Sequence, residues 1–462
     1  TFTYQGFRYC MVSGITAEQA VPELLTYEVM SSDLKINGSF SCSDEIVNKL
    51  QRATYNADIS NFYYFPTDCP HREKNGWTAD AALSAEQMLF HLTPEVSYHE
   101  WLNNIRKAQR EDGALPGIVP TGGWGFDWGN GPAWDCVLFY LPYYTWMYRN
   151  DTDIIRENAG AFMRYLHYIS TRRDEHGLVH IGLGDWLHIG CAVPKAPLEV
   201  TDTLKCMDMC QMAEVMFGAI GMTAQAAFAK ALYEEFRTAT RRELILDDCV
   251  TVLGNCQTSQ AMAIAYNLFD DAEKPAAFRV LLQLIHAQDD HLDTGCLGAR
   301  VIFHVLSAFG QAELAYKMIT RTDFPSYGHW VAHENCTSLF EEFQRKEAKP
   351  NSKNHHFFGD VSSWFLKNLA GIKVNPHVRD ANEIEISPEF LDELQRAEGE
   401  IGVPAGKVSV AWHREGENIV LDVTVPEGVS GDIRLKNGYV FADIYQLIVQ
   451  PVRTGHYLLK KI

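Results

Sequence analysis

Between Ser43 and about Ala370 the sequence reads as helix after helix, with connections that alternate between short and long. The first helix opens at Ser43, read as its N-cap, with Asp44 and Glu45 in the first turn. The others cover 78–91, 94–112, 132–148, 151–172, 200–219, 222–246, 256–268, 272–288, 298–308, 311–320 and 354–370. In the 151–172 stretch Ile155, Ala159, Phe162, Leu166 and Ile169 recur at steps of four and three, which makes one apolar face. Connections after the even-numbered helices are only a few residues long. Those after the odd-numbered helices are long, and include 62–77, 113–131, 173–199, 289–297 and 321–353. Six antiparallel helix hairpins closed into a ring place every short connection at one end and every long one at the other. The pattern therefore predicts a mainly α protein built on an (α/α)6 toroid, with the long loops gathered around one mouth.

The flanks read differently. Residues 2–9 alternate large apolar and polar side chains, so residues 1–40 are expected to be the tail of an upstream β domain and a linker, ahead of a helical domain over 41–370. After Gly371 the texture is of strands: 408–412 and 419–423 alternate around a turn at Arg414–Glu417, and 371–462 is expected to form an antiparallel β-sandwich. A charged fraction of 21%, a hydrophobic fraction of 46% and a mean hydropathy of -0.18 describe a folded chain rather than a disordered one. No apolar run approaches the roughly 20 residues a membrane-spanning helix needs, so no membrane insertion is expected. A net charge of -19 repels phosphate backbones and argues against nucleic acid as a partner. The 11 cysteines include no C-x-x-C pair, and Cys206 and Cys210, one helical turn apart, have no second pair to complete a zinc site. They read as buried thiols, and no disulfide framework is expected. The chain opens on Thr1 with no targeting segment in view, which leaves the compartment open, cytoplasm or periplasm for a bacterial protein.

The long loops carry the chemistry. Asp68-Cys69-Pro70-His71-Arg72-Glu73-Lys74-Asn75-Gly76-Trp77-Thr78-Ala79-Asp80 places three carboxylates, an arginine, a histidine and a tryptophan within 13 residues. Arg72 beside Glu73 can hold a neighbouring carboxylate or a sugar hydroxyl. The 113–131 loop and the helix entry after it bring Trp124, Trp128, Trp134 and Asp135 together with glycines, which suits a carbohydrate-stacking surface or plain packing. Gly184-Asp185-Trp186 repeats that chemistry. In the last long loop His329 and His333 are four apart, but H-E-x-x-H is absent and the segment after Pro325 need not be helical, so no metal is assigned. Glu341 and Glu342 lie between Phe340 and Phe343, where aromatic neighbours would perturb a carboxyl group. Two carboxylate-bearing loops facing one aromatic mouth fit glycoside hydrolysis. Walker, dinucleotide-binding and G-x-S-x-G sequences are all missing, and no cofactor is expected.

The Asp68–Asp80 segment resembles the signature loop of the α-L-rhamnosidases of glycoside hydrolase family 78. The likeness runs through nearly the whole chain. It includes Phe2–Tyr9, Trp128-Gly129-Asn130-Gly131-Pro132-Ala133-Trp134, Gly184-Asp185-Trp186, His291-Leu292-Asp293-Thr294-Gly295, Tyr327-Gly328, Ser352-Lys353-Asn354-His355 and the C-terminal β region, in the family's order. The resemblance implies a six-hairpin glycosidase fold and an inverting hydrolase that removes terminal α-L-rhamnose from oligosaccharides, polysaccharides or other glycosides. It further implies Glu73 as general acid and Glu341 as general base. Asp68, Arg72, Trp77, Asp80, Trp134, Asp135, Trp186 and His355 would hold the sugar. The family often has tryptophans beside its base where this chain has Phe340 and Phe343, so Glu342 stays open as the alternative. Two other functions compete: a different toroid glycan enzyme, such as a lyase with a tyrosine or histidine base, and a non-catalytic glycan-binding relative.

Overall fold

The computed structural model describes residues 3–7, 9–343, 352–443 and 447–462. Its helical part is a closed ring. The inner helices are α2 (Thr78–His91), α5 (Val137–Arg149, preceded by the single turn α4, Pro132–Asp135), α7 (Leu198–Ala219), α9 (Gln257–Ala265), α11 (Cys296–Ala308) and α14 (Val361–Trp364). Each packs on the next: α2 on α5, α5 on α7, α7 on α9, α9 on α11, α11 on α14, and α14 back on α2. Neighbours on all sides explain why every residue of α2 is buried. The outer helices are α1 (Glu45–Ser60), α3 (Glu95–Ala108), α6 (Asp153–Thr171), α8 (Thr223–Leu244), α10 (Lys274–His286) and α12 (Ala312–Thr320). They bury one face only; in α6 that face holds Ile155, Ala159, Phe162, Leu166 and Ile169. Every inner helix enters from a long loop, so its N-terminus, the positive end of its dipole, lies at the mouth.

Four local expectations change. The cap of α1 is Asp44, whose carboxylate accepts from the Ile46 and Val47 amides at 2.7 and 3.4 Å. The last helix starts at Val361 and ends as a π-helical turn over Phe365–Ala370. Residues 354–360 stay outside it because their polar groups are engaged at the mouth: His356 bonds the Ser84 hydroxyl at 2.6 Å and the Thr67 carbonyl at 2.7 Å. The segment after Pro325 is helical, as α13 (Tyr327–Ala332), with the Ser326 hydroxyl accepting from the His329 amide at 3.0 Å. Near the start of the chain, the described residues of 3–9 form no strand, and Phe2 and Arg8 lie outside the described residues.

The first strand is instead β1 (Gly38–Cys42), which joins the C-terminal sheets. These comprise six strands in the order β1–β6 (Arg396–Val403)–β7 (Gly406–Glu415)–β8 (Asn418–Thr424)–β12 (Gly455–Lys461)–β10 (Tyr439–Phe441), and four in the order β11 (Val449–Pro451)–β9 (Ser430–Arg434)–β5 (Glu383–Ile386)–β4 (Ile372–Val374). All neighbours are antiparallel except β5 and β9. The turn between β7 and β8 falls at Gly416–Glu417. A two-strand hairpin, β2 (Phe62–Tyr63) with β3 (Phe65–Pro66), leads into the first long loop. No helix among the described residues is long and apolar enough to cross a membrane.

Candidate active site

One cavity at the mouth is lined from the long loops and inner helix entries by Asp68, Glu73, Trp77, Asp80, Trp134, Trp186, Glu341 and His355. Trp124, Trp128, Ala79, Leu83, Leu183, Cys296 and Phe357 complete the lining among the described residues. Backbone bonds between loops hold these parts in register. The Thr78 amide donates to the Gly117 carbonyl (2.9 Å) and the Val119 amide to the Gly76 carbonyl (2.9 Å), which ties the first two long loops together. The Cys296 amide donates to Trp186 (3.0 Å) and the Ile189 amide to Thr294 (3.1 Å), pairing the third loop with the 289–297 loop. The Glu341 amide donates to Ser352 (3.0 Å) and the His355 amide to Leu339 (2.9 Å), which sets Glu341 and His355 side by side.

Glu73 sits at the tip of a tight turn. The Asp68 carboxylate accepts from the Asn75 amide (2.8 Å) and from the Cys69 thiol (2.8 Å), while that thiol accepts from the Glu73 amide (3.3 Å). The Trp77 indole donates to Glu73 Oε2 at 2.8 Å. Arg72 Nη2 stands 3.3 Å from Glu73 Oε1 and 3.1 Å from Glu341 Oε2, so one guanidinium nitrogen bridges carboxylates that lie 268 residues apart in sequence. Arg72 is thus drawn between the two acids and is not among the residues that line the cavity wall.

The buried polar wall has shifted protonation. Burial pushes Asp80 up to about 7 and, with help from the neighbouring Asp80, Asp68 up to about 6. Burial pulls His355 down to about 4, so its imidazole is neutral near pH 7. His355 Nε2 lies 2.5 Å from Asp80 Oδ1, without the alignment of a hydrogen bond. Asp80 can therefore offer a proton as well as accept one, which suits neutral hydroxyl groups. Glu341, buried, is raised by desolvation, against which His355 and Arg72 pull it down. Glu73 differs in position: 34% of its side chain is exposed at the rim.

Other candidates separate cleanly. Glu341 faces the mouth, whereas Glu342 lines a different cavity with His188, Asp293 and Phe343. Asp135 does not reach the cavity. Next to Trp134 on a helical turn, it points the other way, accepting from Tyr165 Oη (2.8 Å) and the Gly131 amide (3.1 Å). Asp185 is likewise an anchor: it accepts from the Gly295, Leu297 and Gly298 amides at 2.7, 2.8 and 3.1 Å, capping α11, and from the Thr258 hydroxyl. A Cβ at Gly295 would stand 2.2 Å from the Asp185 carbonyl, which explains the glycine. Among the described residues no group of three or more metal-ligating side chains converges. Sequence reasoning had no signal for Leu83, Leu183, Cys296 and Phe357, since apolar side chains there look like any other core.

A helical ring with two facing carboxylates and a tryptophan-lined mouth defines a protein of the six-hairpin glycosidase class. The chain belongs to the bacterial α-L-rhamnosidase family: residues 35–369 match the bacterial alpha-L-rhamnosidase six-hairpin glycosidase domain, and 382–439 the bacterial alpha-L-rhamnosidase C-terminal domain. An alpha-L-rhamnosidase of Alteromonas sp. (strain LOR) is 26% identical over 453 residues, 94% of this chain and 48% of that protein. The structure of the enzyme from Dictyoglumus thermophilum superposes with a TM-score of 0.85 at 27% identity, covering 93% of this chain and 50% of that one. The Streptomyces avermitilis enzyme complexed with L-rhamnose gives 0.84 at 26% identity, covering 93% and 43%. The chain spans about half the length of the curated relatives it matches.

Proposed function

We propose that this chain is an α-L-rhamnosidase that hydrolyses terminal, non-reducing α-L-rhamnosides with inversion, Glu73 acting as general acid and Glu341 as general base. The observation that carries this reading is the Arg72 bridge. One guanidinium nitrogen stands at hydrogen-bond distance from both acids, 3.3 Å from Glu73 and 3.1 Å from Glu341, so the two carboxylates that glycoside hydrolysis needs share one cavity. Glu341 is suited to the base because burial raises its proton affinity while the charged Arg72 keeps the carboxylate form accessible. Glu73, at the open rim and held by the Trp77 indole, is suited to meet the departing oxygen. Asp68, Asp80 and His355 would bind ring hydroxyls. The Trp134 indole N–H, buried and unpartnered, is a further donor toward the sugar, and Trp77 and Trp186 supply apolar faces. Arg72 faces the chain's own carboxylates instead of standing free to neutralise a uronate, so a lyase reading has less support. The experiment is an assay on a chromogenic aryl α-L-rhamnoside beside the β anomer and an α-L-fucoside. Release from the α-rhamnoside alone is expected; equal release from all, or none, would reject the reading.

A pH profile tests the bridge. Arg72 holds the Glu341 carboxyl down, so Arg72→Met should let it rise, and the base would then be ionised only at higher pH. The acid limb of kcat/KM should move upward in pH. An acid limb that stays in place or moves down would detach Arg72 from the base.

A further inference from the structure

The chain has 10 tryptophans, and Trp124 and Trp128 alone among them are exposed, at 50% and 39%. Both lie on the rim of the cavity described above. Large aromatic surface is costly to leave in water unless something covers it. Contacts link the pair to the interior: Trp124 to Trp128 at 5.0 Å between ring centroids, Trp128 to Trp77 at 5.6 Å and to Trp186 at 5.9 Å. The rim pair is held in place from beneath. Gly129, at φ 73°, sits so close to the Trp77 ring that a Cβ there would approach it to 2.4 Å. Phe126, between the two tryptophans in sequence, lies under the Arg110 guanidinium at 4.3 Å. Asp135 fixes the Gly131 amide at the loop's end. The ladder's inner end also matters, because the Trp77 indole donates to Glu73, the group at the open side of the cavity.

We propose that Trp124 and Trp128 form a leaving-group subsite, which takes a flat ring, aryl or pyranose, attached directly to the glycosidic oxygen. The inference rests on the rhamnosidase reading and deepens it. With the terminal sugar inside and its glycosidic oxygen at Glu73, the next unit emerges on the exposed side, where the two indoles offer apolar faces for stacking. A leaving group without a ring gains nothing from them.

Steady-state kinetics of the wild-type chain and Trp124→Ala on methyl, 4-nitrophenyl and glucosyl α-L-rhamnosides test this. The advantage of the ring-bearing substrates over the methyl glycoside in kcat/KM should shrink by roughly three- to tenfold in the variant, mainly through KM. A loss confined to one ring type supports the subsite and says which ring it takes. Equal effects on all three substrates would overturn it. Calorimetric binding of phenyl and methyl 1-thio-α-L-rhamnosides makes the same comparison without turnover. If nothing is hydrolysed yet the phenyl compound still binds better to wild type than to Trp124→Ala, the catalytic reading fails while the subsite stands. Equal affinities, or no binding of either, would remove the subsite. Sedimentation in which Trp124→Ala dissolves a wild-type dimer with kinetics unchanged would assign the indoles to a second copy and overturn the proposal.

Discussion

Glu341→Gln should lower kcat on an aryl α-L-rhamnoside by about 10²–10⁴-fold, the usual range for loss of a general base, while Glu342→Gln should retain most activity. The reason is directional. Neighbouring side chains on an extended or turning backbone diverge, and here they part to two cavities, with Glu341 in the mouth and Glu342 against His188, Asp293 and Phe343. Thermal melts of both variants separate chemistry from folding, since only the first should combine an unchanged fold with lost turnover. The reverse pattern of activities would hand the base to Glu342 and require a different arrangement of the 338–343 turn.

Glu73→Gln is the second large effect, and its signature is dependence on the leaving group. An alkoxide needs a proton to depart, so with a methyl or sugar leaving group the variant should lose about 10²–10⁴-fold in kcat/KM. A dinitrophenolate is stable without one, and with that substrate the loss should be far smaller. Glu73 shares the cavity with the rim tryptophans and accepts from the Trp77 indole, which supports the proposed role on the leaving-group side. A uniform loss across leaving groups would mean that Glu73 binds or orients and does not donate.

The ring was legible because a closed circle of hairpins forces loop lengths to alternate, and this regularity survives errors at individual helix ends. The gathering of Trp77, Trp134 and Trp186 at one mouth follows directly from it. What escaped the sequence depends on rotation within a turn or on contacts between distant loops. Asp135 and Trp134 are neighbours, yet only Trp134 faces the cavity, a difference of about 100° around a helix that composition cannot reveal. Glu341 is largely buried while the turn that carries Glu73 projects into the open rim, a contrast that two glutamates in loops do not disclose by themselves. Arg72 was read as holding a neighbouring carboxylate or a sugar hydroxyl, and its second carboxylate, Glu341, 269 residues away, comes into reach only once the two loops are brought together. The 354–370 stretch looked like one helix because its apolar residues are well spaced, whereas His355 and His356 are held by partners at the mouth and delay the helix to Val361.

The central claim is that Glu73 and Glu341 act on opposite faces of an α-L-rhamnoside, with water delivered between the sugar and Glu341. Inverting pairs stand about 6.5–9.5 Å apart and retaining pairs about 5–5.5 Å, and the two mechanisms release different anomers first. Proton NMR recorded during the first minutes of hydrolysis, before mutarotation, measures this directly. The account predicts that β-L-rhamnose appears first from an α-linked substrate. First appearance of α-L-rhamnose, or a glycosyl ester trapped on either glutamate, would contradict it.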